Sequence, residues 1–168
     1  MNLPALLQEA RTSAFRRWAL NMGLHRMIPF NRPHGLKVVP LENGGIKVLV
    51  PFWRINQNHI RGIHACCLAT AAEYCSGLAL MEHLDAKSYR IIMKSLHMEY
   101  HYQAKSAASA VFAPSAEEVQ TGIKQFVDNG EAALYVAEVP VHDDKGNHLA
   151  TGKITWQVKP WSSVRTAR

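Results

Sequence analysis

The 168-residue sequence predicts an α+β domain in which one long buried helix is wrapped by a curved antiparallel sheet, with an extra helix ahead of it. Three observations carry this. The segment Ile63 to Met81 contains no Pro and is apolar nearly all round, which places a helix in an interior. From Tyr89 the hydrophobic period changes to two for about fourteen residues, the mark of a long strand. Two further pairs of apolar-rich runs are joined by turn-forming residues, at Glu42-Asn43-Gly44-Gly45 and at Asp143-Asp144-Lys145-Gly146-Asn147, the signal of hairpins.

In chain order, Leu3, Leu7, Ala10, Ala14 and Trp18 recur at spacings of three and four. Gln8, Arg11, Thr12 and Arg16 fall on the other face, so an amphipathic helix is expected to lie on something else. Gly23, Pro29, Pro33 and Gly35 punctuate its exit. Strands are expected over 36–41 and 46–50, closed by Pro51. Residues 52–62 match neither period and read as a structured loop. After the helix, the long strand places Ile92, Lys94, Leu96, Met98, Tyr100 and Tyr102 on one face. A shorter strand follows over 107–112. Pro114-Ser115-Ala116-Glu117-Glu118 then offers a cap and an acidic first turn for a short helix. Strands over 132–141 and 149–158 complete a single domain, divided as a 1–34 helical extension, a 35–159 core and a loose tail over 160–168.

Composition narrows the function classes. With 48% hydrophobic and 19% charged residues the chain is ordinary globular protein. The net charge of +6 suits an anionic partner, but the basic residues are dispersed, including Lys159, Arg165 and Arg168 at the tail, so no nucleic-acid partner is expected. No run reaches the roughly 20 apolar residues that span a bilayer, and the start lacks a signal peptide, so neither a membrane partner nor export is expected and a cytoplasmic location is. Cys66, Cys67 and Cys75 are odd in number and lack a C-x-x-C, which points to buried thiols in a reducing compartment rather than to a disulfide or a metal site. His97 and His101 flank Glu99 on one strand, but no third ligand accompanies them, so no metal or cofactor is expected.

Glu73 is the only formally charged side chain between Arg61 and Glu82. A carboxylate in such surroundings needs a counter-charge, hydrogen bonds or a raised pKa, and desolvation of this kind is what strengthens a catalytic base or nucleophile. His64 lies nine residues earlier, which along a helix means the opposite face and about 13 Å of rise. A site using both would be shared between two copies of the chain, as a C2 dimer allows. The first N–H groups after Gly62 have no intrahelical acceptor and suit a thioester carbonyl or its oxyanion. Asn58, in the approach loop, can donate or accept. Phe52 and Trp53 stand beside that loop as candidates to line a substrate pocket, and Arg61 and Lys105 as cations that could meet an anionic group of a substrate.

Asn58-His59-Ile60-Arg61-Gly62-Ile63-His64-Ala65-Cys66, followed by Glu73, resembles the signature of the hotdog-fold acyl-CoA thioesterases, in particular the phenylacetate-pathway type. Those enzymes carry an Asn, then a Gly-x-x-His-Gly-Gly-like run, then an acid nine residues after the His. The resemblance covers roughly residues 36–158. It implies a hotdog fold, a homodimer whose further pairing into tetramers it leaves open, and hydrolysis of an acyl-CoA. The implied roles fall on Glu73 as general base or nucleophile, on the Ala65 main-chain N–H as donor to the thioester carbonyl, on Asn58 as orienting water or intermediate, and on His64 as positioning the loop or the thioester. Ser95 is the positional counterpart of a hydroxyl that often assists from the next strand. Ala65-Cys66 replaces the usual Gly-Gly, which keeps the N–H but narrows the backbone approach. A non-catalytic acyl-CoA or acyl-carrier binding protein is therefore the alternative; a hotdog dehydratase would need the His and acid paired differently.

Overall fold

The computed structural model describes residues 2–164. Helices α1 (Leu3–Thr12) and α2 (Ala14–Met27) and a 3-10 turn (Pro29–Asn31) precede the hairpin β1 (Lys37–Pro40) and β2 (Ile46–Val50). Then come α3 (Ala65–His83), β3 (Tyr89–Tyr100) and β4 (Ala108–Phe112). Helix α4 (Ala116–Val119) runs on through a π turn (Gln120–Lys124), and β5 (Ala133–Asp143) and β6 (His148–Pro160) end the sheet. The six strands are ordered β1-β2-β4-β5-β6-β3 and every paired neighbour is antiparallel. This is the hotdog architecture, with α3 as the filling.

Small residues let the sheet close on α3. Ala71, Ala72, Cys75 and Ala79 are fully buried, and at Gly77 a Cβ would lie 3.0 Å from the Trp156 ring. Trp156 donates its indole N–H to Ser76 Oγ at 3.0 Å, and the Ser76 hydroxyl donates to the Glu73 carbonyl at 3.0 Å. A sheet residue thus fixes the register of the helical turn that carries Glu73. Leu68, Leu78, Leu80, Val48, Val139 and Ile154 fill the space between, each worth roughly 1.5–3 kcal/mol on burial.

The hairpin turns follow their chemistry. Gly44 and Gly45 both adopt positive φ, and a Cβ on Gly45 would sit 2.4 Å from that of Ala113. At the other hairpin the Asp143 carboxylate accepts from the N–H groups of Lys145 and Asn147 at 3.0 and 2.8 Å. Ser115 and Glu118 form a capping box at α4.

Three expectations are corrected. The first helix is two helices, because Ser13 takes extended backbone and caps α2 through Oγ, accepting from Arg16 N–H at 3.3 Å. Leu7 and Ala10 are buried as expected, but Ala14 and Trp18 are exposed, since the break resets the phase and buries Leu20 and Leu24 instead. Arg11, expected to face solvent, turns inward to pair with Glu82 and donates to the Leu41 carbonyl at 2.7 Å. Glu82 in turn accepts from Gly45 N–H at 3.2 Å, so one ion pair ties α1, α3 and the β1–β2 turn.

The second correction concerns β3. The pairing with β6 shifts between Met93 and Ser95, a bulge that absorbs Lys94. The core-packed face is therefore Tyr89 and Ile91 before the bulge, then Leu96 and Met98 after it, rather than one unbroken row of even-numbered residues. The third concerns the tail. Residues 161–163 form a 3-10 turn tied by Trp161, whose backbone N–H donates to Ser88 O and whose indole donates to Ala86 O, both at 3.0 Å. The remainder of that tail, 165–168, lies outside the described residues.

Candidate active site

The entry to α3 is built on Asn56 rather than on Asn58. Asn56 is buried, and its side-chain amide donates to the carbonyls of His34 and Pro51 at 2.9 Å each. Its own carbonyl accepts from His64 N–H at 2.7 Å. Asn58 Oδ1 accepts from Ile60 N–H at 3.1 Å and Gly62 N–H at 3.0 Å, closing a tight turn in which Arg61 adopts a left-handed φ of 59°. For a residue with a Cβ that conformation costs about 1–2 kcal/mol. Ile63 N–H then donates to Ala104 O at 2.8 Å, docking the loop that holds Lys105.

His64 is the N-cap of α3. Its Nδ1 accepts from Cys66 N–H at 3.1 Å, which holds the ring against the first turn of the helix. The Ala65 N–H has no acceptor among the described residues. It points out at the positive end of a 19-residue helix, where developing negative charge is favoured. On the other side of the same residue, Tyr100 donates its hydroxyl to the Ala65 carbonyl at 3.0 Å.

Along the outward stripe of α3 lie Cys66, Ala69, Thr70 and Glu73, at spacings of three and four. They floor a cleft of about 430 Å³ whose walls are Ile28, Phe30 and Asn31 on one side and Met93, Leu96 and Tyr100 on the other. Among the described residues Glu73 has no ion-pair partner, and burial pushes its carboxyl above the ordinary value of 4.5. Tyr74 lines the same cleft. Its hydroxyl is buried without a hydrogen bond of normal geometry, although the Asn31 side chain is near enough to act on its pKa; burial outweighs that contact and pushes the phenol up. Cys67 and Cys75 are buried, which pushes their thiols up to about 11 and about 12, whereas Cys66 is exposed.

A smaller cleft of about 240 Å³ adjoins the first and contains His64, His34, Asn56 and Gln57. The two share Phe30, Cys66 and Thr70. His64, with extended backbone at the N-cap, lines the smaller cleft and Glu73 the larger one; neither residue borders the cleft of the other.

The other candidates are dispersed. Phe52 packs against the core, and Trp53 is half exposed with its ring over Gly35, where a Cβ would lie 2.1 Å from it. Arg61 and Lys105 are exposed on adjacent loops, and Ser95 is exposed opposite Thr155; none of the five lines either cleft. Sequence reasoning passed over Phe30, Asn31, Tyr74 and Tyr100. Asn31 and Phe30 follow a Pro that reads only as a helix exit, and Tyr100 sits in a strand whose phase the bulge conceals.

The family described as a domain of unknown function (DUF4442) matches residues 16–158. No curated protein matches the sequence. Among solved structures, a Pseudomonas aeruginosa protein of unknown function described as a probable thioesterase is 24% identical, with a TM-score of 0.75 over 83% of this chain and 93% of its own. A Haemophilus influenzae thioesterase is 10% identical, with a TM-score of 0.64 over 87% and 94%. A mutant of a Staphylococcus aureus thioesterase is 12% identical, with a TM-score of 0.60 over 79% and 99%. The likeness at these identities is one of fold.

Proposed function

We propose that this chain, which belongs to the DUF4442 family, hydrolyses an acyl-CoA thioester with Glu73 as the acid that activates water. The observation carrying this reading is a desolvated carboxylate without an ion-pair partner among the described residues, on the floor of an apolar cleft. An unused N–H opens the same helix just over two turns away, about 12 Å along the axis, so the two groups act on one thioester when two copies of the chain pair. Burial of the carboxylate raises its basicity, and the free Ala65 N–H supplies the donor that a developing oxyanion needs.

In this mechanism the thioester carbonyl oxygen lies against the Ala65 N–H of one copy, and the acyl chain runs between Phe30 and Leu96 of the other, whose Glu73 faces the carbonyl carbon. Glu73 removes a proton from water as its oxygen attacks the carbonyl carbon. The oxyanion collapses, the C–S bond breaks, and the CoA thiolate takes the proton back from Glu73. A direct attack by Glu73 to give an anhydride, then hydrolysed, uses the same groups. His64 fixes the first turn through Cys66 N–H, Asn58 shapes the approach loop, and Arg61 and Lys105 flank the path a CoA phosphate would take.

A homodimer belongs to this reading. Strand β3 is a sheet edge of 12 residues with Ile92 and Met93 exposed, and the open stripe of α3 lies next to it. Long apolar edges are normally covered, and a second copy pairing there would close the cleft over Glu73. The alternative, an acyl-CoA or acyl-carrier binder without turnover, is favoured by one feature, the Ala65-Cys66 pair in place of Gly-Gly. Hydrolysis assays over acyl-CoAs of graded length, with wild type and Glu73→Ala, decide between them. Loss of turnover in the variant is expected; equal rates would remove Glu73 from the mechanism, and binding without turnover in wild type would establish the alternative. Sedimentation of wild type as a monomer would remove the shared-site part.

A further inference from the structure

Helix α2 carries two apolar faces. Leu20 and Leu24 are buried on one, while Phe15, Trp18 and Met22 stand on the other, 71%, 60% and 51% exposed. At about 100° per residue the exposed trio centres half a turn away from the buried pair. Packing on a core needs one apolar stripe only, so the second face is not accounted for by the fold. Its two aromatics are stacked, with ring centroids 5.9 Å apart.

The face continues into a groove of about 470 Å³ between α2 and the first hairpin. Trp18, Met22, Val39 and Leu49 supply its apolar surface, and Arg17, His25 and Lys37 its polar border. In the β1–β2 register Lys37 pairs with Leu49 and Val39 with Lys47, so Lys47 stands on the same outward sheet face. Arg26 is exposed at the end of the helix. No carboxylate lines the groove; Glu9, on α1, pairs with Arg16 at 2.9 Å. The frame is rigid: Asn21 exchanges hydrogen bonds with Val38 N–H and C=O at 2.7 and 2.9 Å, and Arg17 donates to the carbonyls of Ala10 and Arg11.

Exposed Trp and Phe bordered by cations, with no acid among them, complement a surface that is apolar beneath and anionic on top. A second copy is the poorer occupant, because a two-fold contact would bring the same cations face to face. We propose that this face of α2 and the β1–β2 hairpin docks on an anionic phospholipid bilayer. Phe15, Trp18 and Met22 enter the boundary between headgroups and acyl chains, and Arg26, Lys37 and Lys47 meet the lipid phosphates. No helix among the described residues is long and apolar enough to cross a membrane, so the contact lies in the interface. It is independent of the thioester reading, since none of these residues lines the Glu73 cleft.

The test is co-sedimentation of the full chain with vesicles of phosphatidylcholine alone or with about 30% phosphatidylglycerol, at about 0.1 M and 0.5 M salt. Wild type should pellet with the anionic vesicles at low salt only. The variants Phe15→Ser/Trp18→Ser and Lys37→Glu/Lys47→Glu should each lower partitioning at least about tenfold, with unchanged thermal melts. The proposal is overturned if wild type stays in the supernatant with anionic vesicles, or if both variants pellet as wild type does. It is also overturned if the serine variant halves the mass in sedimentation, which would make the face a contact between copies.

Discussion

Tyr100 hydrogen-bonds the carbonyl of Ala65 at 3.0 Å, joining the last residue of the edge strand to the first residue of the central helix. The peptide unit at Ala65 is thereby held from its carbonyl side, while the N–H of the same residue is open. Tyr100 also walls the Glu73 cleft. Its replacement by Phe keeps the wall and removes the bond. The expected result is a loss of stability of about 0.5–1.5 kcal/mol, read by urea unfolding, and a fall in kcat of the acyl-CoA hydrolysis larger than any change in KM. A fall confined to KM would show that the residue only lines the cleft.

Burial pushes the Glu73 carboxyl above 4.5, and the sign of the pH effect follows. The folded state favours the protonated form, so the associated stability is complete at pH below the unfolded value and is lost as pH rises through the folded one. Glu73→Gln is thus expected to be more stable than wild type at pH 7, with the two converging below about pH 4.5. In the proposed hydrolysis Glu73 acts in its ionised form, so the acid limb of kcat/KM should fall at a pH above the ordinary carboxylate range. Thermal melts of both proteins from pH 4 to 8, together with the pH–rate profile, check both statements. A variant no more stable than wild type at pH 7 would mean that Glu73 is solvated.

Of the three thiols, Cys66 is exposed and borders both clefts, whereas Cys67 and Cys75 are buried and poorly ionised. A disulfide reagent at pH 8 should titrate one thiol per native chain and all three only after unfolding. Attachment of a bulky maleimide at Cys66 should block hydrolysis, while Cys66→Ser should be insensitive to the reagent. Modification of Cys66 with full activity retained would separate that part of the cleft from substrate binding.

Tyr74 carries a buried hydroxyl without a regular hydrogen bond. Removing an unsatisfied buried polar group is neutral or stabilising, whereas removing a satisfied one costs about 1 kcal/mol. Tyr74→Phe is therefore expected to melt at or above the wild-type temperature in the free protein. If bound substrate supplies the missing partner, the same variant should raise KM. A variant destabilised by more than about 1 kcal/mol would show that the Asn31 contact is a full hydrogen bond.

The fold was largely legible in the residues. The apolar, Ala-rich run ending near Met81, the Asn-Gly turn and the capping Ser115 each act within a few positions, so their effect can be read locally. The two places where periodicity misled, Ser13 and Lys94, are single residues at which the backbone departs from its regular form, and a bulge leaves no mark in a hydrophobic pattern. Glu73 was conspicuous because an acid in an apolar run has few neutral explanations. The cleft around it was not. Phe30 and Asn31 come from the N-terminal extension, and Tyr100 from beyond the bulge, so only folding brings them beside Glu73.

By itself the sequence determined the order of the strands and of the central helix, the burial of α3 and the isolation of Glu73 within an apolar run, because propensity, turn chemistry and the cost of burying charge are local properties. Tertiary structure alone decided that Phe30, Asn31 and Tyr100 wall the cleft at Glu73, that Arg11 turns inward to Glu82, and which face of α2 is left exposed. Each depends on where a segment distant in sequence comes to rest, and that is fixed by the packing of the whole sheet around one helix.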